Sequence, residues 1–138
     1  MKAIPVDSTN PVLEERSTTV EIGGKEYEMI LSTAATMAIS KRFGSLENLG
    51  EKIAREGAEG IENVVWLIAL LCNQSIALHN FWHPDEKEPL LTEEFVALAT
   101  TPDEIRTFTP AINEAIARGA GRAVESAGDE KGKNAEAG

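Results

Sequence analysis

The chain has 138 residues, one cysteine and a formal net charge of -10 at pH 7. That balance argues against nonspecific nucleic-acid binding, which needs Lys and Arg to neutralise phosphates, and against an anionic membrane surface. A lone cysteine excludes an intrachain disulfide and points to a reducing compartment, and the length suits one small domain with its own core.

Residues 1–17, MKAIPVDSTNPVLEERS, carry Pro5 and Pro11 and show neither helical nor strand periodicity. They predict a flexible N-terminal arm, with no apolar stretch of the signal-peptide kind. Residues 18–31 then alternate: Val20 and Ile22 before Gly23-Gly24, and Tyr27, Met29 and Leu31 after it, with Glu21, Glu26 and Glu28 between. Two glycines supply the positive φ angles of a tight hairpin turn, and the register this sets pairs Val20 with Tyr27 and Ile22 with Lys25. The apolar residues then share one face, so pattern and turn agree. A lone hairpin is marginal in water, so it must pack on helices or pair its edge with another subunit.

Ser32 or Thr33 can cap a short helix reaching Arg42, with Ala35, Ile39 and Phe43 on one side and Gly44 as its stop. Ser45 caps a second helix on which Leu46, Leu49 and Ile53 recur, with Gly50, Gly57 and Gly60 limiting its length. The stretch that organises the rest is residues 61–82, IENVVWLIALLCNQSIALHNFW. Its uninterrupted apolar run, 64–72, is well short of the roughly 20 residues of a membrane span, which favours a buried core helix. At helical spacing Val64, Leu67, Ile68, Leu71, Leu78 and Trp82 share one face, opposite a narrow stripe of Glu62, Ala69, Asn73 and Asn80. Trp66 falls on the stripe side, so it is either covered by the hairpin or the 105–116 segment, or kept as an anchor for a partner.

The sequence HPDEKEP, residues 83–89, reads as a charged, proline-bounded loop. Thr92 can cap a short helix carrying Phe95 and Leu98. Thr101-Pro102-Asp103-Glu104 combines an N-cap, a first-turn proline and a capping-box glutamate, and Ile105, Phe108, Ile112 and Ile116 continue its apolar face. Pro110 predicts a kink or restart there, with Thr109 as a second cap. From Gly119 large apolar residues vanish apart from Val124, which predicts a disordered tail over 119–138 and a single domain over 18–118. The expected fold is therefore mainly α: a small helical domain around one central apolar helix, with an N-terminal β-hairpin and disordered termini.

Residues that could carry chemistry are few. His79 and His83 are four apart, which on a helix sets two imidazoles on one side near Asp85 and Glu86, so a small metal-dependent enzyme is one alternative. No HExxH, third histidine, GxSxG, P-loop, GxGxxG or CxxC accompanies them. Cys72 lies inside the apolar run, as a small buried hydrophobe does. The paired acids Glu14-Glu15, Glu93-Glu94 and Asp103-Glu104 mostly stand at helix starts, where the dipole accounts for them. These observations predict a non-enzymatic protein without a metal or cofactor. Trp66, Phe81 and Trp82 are its candidate partner-binding residues, and a generic acidic interaction module is a further alternative.

The order of elements resembles that of the small tail assembly chaperones of long-tailed bacteriophages, prophages and tail-like particles. The similar segments are VEIGGKEYEMIL, the short helix ending in RFG, NVVWLIALLCNQS, PLLTEEFVAL and TPDEI, which span most of residues 20–116. The resemblance implies a mostly helical, self-associating protein of the host cytoplasm. Such a protein keeps the hydrophobic tape measure protein soluble and promotes polymerisation of tail tube protein around it, in part through a longer form made by ribosomal frameshifting. Lys133-Asn134 can be encoded by an A-rich slippery run and is the expected site. The family has no active-site residue to carry over.

Overall fold

The structure, a computed structural model, describes residues 17–55 and 57–132. The expected arm at 1–16 and the expected frameshift site at Lys133-Asn134 lie outside them. Strands β1 (Thr18–Ile22) and β2 (Lys25–Met29) form a two-stranded antiparallel sheet. Its register pairs Val20 with Tyr27 and Ile22 with Lys25, as the Gly-Gly turn predicts. Gly23 and Gly24 have φ of 60° and 86°, the two left-handed residues of a type I′ turn. Val20, Ile22 and Met29 face the core, whereas Thr19, Glu21, Glu26 and Glu28 face out.

Helices α1 (Thr33–Phe43), α2 (Leu49–Ile53), α3 (Gly57–Trp82), α4 (Glu93–Ala99) and α5 (Pro102–Gly132) follow, with a 3-10 turn at Leu46–Asn48 before α2. Their starts obey the expected capping chemistry. Ser32 Oγ accepts from the Ala35 N–H at 3.0 Å, Ser45 Oγ from Asn48 at 3.3 Å and Thr92 Oγ1 from Phe95 at 3.0 Å. Thr101 and Glu104 form a reciprocal capping box: the Glu104 N–H donates to Thr101 Oγ1 at 3.2 Å and the Thr101 N–H to Glu104 Oε1 at 2.9 Å. On α1, Ala35, Ile39 and Phe43 are the buried positions.

The central helix is longer than expected, beginning at Gly57 rather than Ile61. Gly60 explains how: a Cβ there would lie 1.8 Å from the Arg55 carbonyl oxygen, so only glycine lets the preceding chain cross the first turn. By length and composition α3 would suit a bilayer, but its middle is packed inside the other elements. Val64, Leu67, Ile68 and Leu71 are buried as the wheel predicts. Two positions depart from it. Ala69, placed on the polar stripe, is buried at 6% exposure, and Trp82, placed on the core face, is 46% exposed. The reason is that a wheel assigns faces but not how far the neighbours reach: they surround α3 to Ile76 and thin out beyond it.

The hairpin packs on α3 and α5. The Ile30 N–H donates to the Leu71 carbonyl at 3.2 Å and the Ser75 hydroxyl to the Glu28 carbonyl at 2.7 Å, so the outer edge of β2 is tied to α3. Beneath the sheet, α5 contributes Ile105, Phe108, Ile112 and Ala115 to the core. It runs without a break through Pro110, so the expected restart and the Thr109 cap are absent. Pro110 is exposed, so the carbonyl four residues earlier can reach water, and burial of Phe108 and Ile112 on either side holds the axis. Packing continues to Gly119 and Ala120, just past the expected boundary at Arg118. A Cβ at Gly119 would lie 2.5 Å from Leu31 Cβ, Ala120 packs on the core, and the helix that the composition led us to expect would end here continues to Gly132.

Candidate functional site: an apolar surface on an acidic strap

His79, His83, Phe81 and Trp82 gather at the C-terminal end of α3 and the loop start beyond it. The two histidines come together as their spacing predicts, with ring centroids 4.7 Å apart and planes inclined by 31°. His79 Nε2, however, lies 3.0 Å from the Glu86 carbonyl oxygen, so as a donor it closes the loop end. Among the described residues no group of three or more His, Cys, Asp and Glu side chains is arranged to hold a metal ion. Cys72 is fully buried, and desolvation pushes its thiol pKa up to about 12, so it is a protonated core group at neutral pH.

The chain then turns back along α3 as a strap. Asn80 Nδ2 donates to the Glu88 carbonyl at 2.9 Å while its Oδ1 accepts from the Glu88 N–H at 2.7 Å. Asn73 makes the same pair with Leu91, at 2.9 and 2.7 Å. An asparagine amide has the donor and acceptor of a peptide unit, so each reads the strap's main chain as a neighbouring strand would. The spacing fits: seven residues of helix rise about 10.5 Å, and three residues of extended chain span about 10 Å. On the helical wheel both asparagines fall on the narrow stripe opposite the core face, which does not show what they bind. Their spacing of seven on one side of the helix, before a proline-bounded loop, is the signal that could have identified them.

The strap and the elements it joins present apolar side chains to solvent. Phe81 is 80% exposed, Trp82 46%, Leu90 54%, Phe95 42% and Leu98 79%. On α4 the buried residue is Val96, and Phe95 and Leu98 are exposed. Among them stand five exposed carboxylates, Asp85, Glu86, Glu88, Glu93 and Glu94, with Lys87 in the same stretch and Lys25 of the hairpin 3.6 Å from Glu88.

Trp66, the third candidate residue, is placed elsewhere. It is half-buried, meets Phe43 edge-on at 5.6 Å and 89°, and lies under the Arg42 guanidinium at 4.7 Å. Its cover is thus the end of α1, not the hairpin or α5 as expected. Arg42 also approaches Asn63 Oδ1 at 3.5 Å, and the Asn63 amide donates to the Lys52 carbonyl at 3.0 Å. That network satisfies Asn63, the one polar residue among the buried side chains of the described residues, joining α1 and α2 to α3.

No family model, curated protein or solved structure matches the chain.

Proposed function

We propose that this protein is a tail assembly chaperone of a long-tailed phage or prophage, acting in the host cytoplasm. It binds the tape measure protein, keeps it soluble and promotes tube polymerisation around it. Tail tube protein is engaged in part through a frameshifted longer form, and the chaperone self-associates.

The observation that carries this reading is the exposure of Phe81, Trp82, Leu90, Phe95 and Leu98 on an acidic segment of an acidic chain. Exposed large apolar groups bind an apolar partner, and the surrounding carboxylates keep the unoccupied chaperone soluble while favouring partners that carry basic residues. The resemblance in element order supplies the identity of that partner.

Co-expression of the full chain with a fragment of a tape measure protein tests this reading: the fragment should move from the insoluble to the soluble fraction. A generic acidic interaction module would solubilise unrelated apolar helices equally well. A metal-dependent enzyme using His79 and His83 is supported less, because His79 Nε2 is directed at the Glu86 carbonyl.

A further inference from the structure

The two edges of the sheet are not alike. Residues flanking a two-residue turn form a hydrogen-bonded pair, so Ile22, Val20 and Thr18 direct their main-chain groups toward β2. By the same alternation Glu28 directs its carbonyl away from β1, and Ser75 of α3 takes it at 2.7 Å; just beyond β2, Ile30 donates to Leu71 of α3. The edge of β2 is therefore occupied at its Glu28–Ile30 end. On β1 the outward residues are Thr19 and Glu21, both exposed, and among the described residues neither main chain makes a hydrogen bond outside the sheet. Each of these two residues offers one donor and one acceptor at strand spacing.

The charge beside this edge is one-sided. Glu21 stands directly opposite Glu26 on the outer face, and like charges facing across strands oppose each other. The only cation in the hairpin, Lys25, is on the other face, 3.6 Å from Glu88 and over the Tyr27 ring. Neither Glu21 nor Glu26 has a cationic partner among the described residues.

We propose that the free edge of β1 takes an extended, lysine- or arginine-bearing segment of a partner protein as a third strand. Main-chain hydrogen bonds to Thr19 and Glu21 hold the segment, and its cationic side chains fall on the outer face, where they relieve the Glu21–Glu26 opposition. A second copy of β1 is the disfavoured occupant, since pairing through this edge would add its own Glu21 to the same face. The edge begins beside the strap surface, since Phe95 and Ala99 lie against the Gly23 turn, but the groups it offers are main-chain groups of Thr19 and Glu21 and not apolar side chains.

The test uses the full chain and a fluorescent peptide of alternating lysine and valine, with the lysines replaced by glutamate in a control peptide. The lysine peptide should bind and the glutamate peptide should not. Thr19→Pro removes an N–H that the hairpin does not use, at an edge position where proline is tolerated. It should weaken binding about tenfold with an unchanged melting temperature. Glu21→Lys should reverse the preference between the two peptides, which keeps the proposal falsifiable if Thr19→Pro fails to fold. Absence of binding, binding indifferent to Glu21→Lys, or a dimer of the chain that Thr19→Pro dissociates would each overturn it.

Discussion

Asn73 of α3 and Leu91 of the strap exchange two hydrogen bonds across 18 positions of sequence, at 2.9 and 2.7 Å, with Asn73 half-buried. Its loss strands a donor and an acceptor of the strap at once. Asn73→Ala should therefore cost about 1–3 kcal/mol in urea unfolding, and Asn80→Ala, on the more exposed pair with Glu88, about 0.5–1.5 kcal/mol. Asn73→Asp can still accept from the Leu91 N–H but faces the Leu91 carbonyl with an oxygen, so it should be at least as damaging. Equal, negligible effects at both sites would mean that the strap is held by something other than its asparagines.

Trp66 is partly covered rather than enclosed. Trp66→Ala should destabilise by about 2 kcal/mol, less than the roughly 3–5 kcal/mol of a fully buried ring. Edge-to-face contact with Phe43 and the Arg42 guanidinium contribute part of this. A variant that melts like the parent but loses its partner would instead make Trp66 an anchor.

Pro110 lies inside an unbroken α5. Pro110→Ala restores a donor to the carbonyl four residues before it and a better helix former, so it should raise stability by about 1–3 kcal/mol in the same assay. An unchanged or lowered midpoint would show that the helix depends on the ring for packing.

Burial raises the Cys72 pKa from an ordinary 9.0 to about 12. The folded thiol holds its proton more tightly than the unfolded one, so this contribution is complete below pH 9.0 and is lost as pH climbs toward 12. Cys72→Ala should flatten that alkaline decline relative to the parent, and a thiol reagent at pH 8 should label the parent only on unfolding. Rapid labelling of the folded chain would contradict the burial.

Much of this architecture is local and was legible in the sequence. The Gly-Gly turn set the hairpin register, Ser32, Ser45, Thr92 and Thr101 marked helix starts, and Ala35, Ile39 and Phe43 declared their face. What could not be read depends on partners distant in sequence. The start of α3 at Gly57 needs the close crossing at Arg55, and the continuity of α5 through Pro110 needs burial on both sides. The outward turn of Phe95 and Leu98 follows from Val96 taking the core position. Of the candidate site, Phe81 and Trp82 were named from the sequence, while Leu90, Phe95 and Leu98 became visible as surface only once the strap was in place.

The most direct measurement of the central proposal is the solubility of a co-expressed tape measure fragment with the parent chain, with the double variant Phe81→Ser/Leu98→Ser, and with Met37→Ser as an exposed control on α1. All three chains should fold with similar melting temperatures, because each altered side chain is largely in solvent. The parent and Met37→Ser should hold the fragment in the soluble fraction and the double variant should lose it. A fragment that stays insoluble with the parent, or stays soluble with the double variant, would contradict the assignment of this surface to a chaperone.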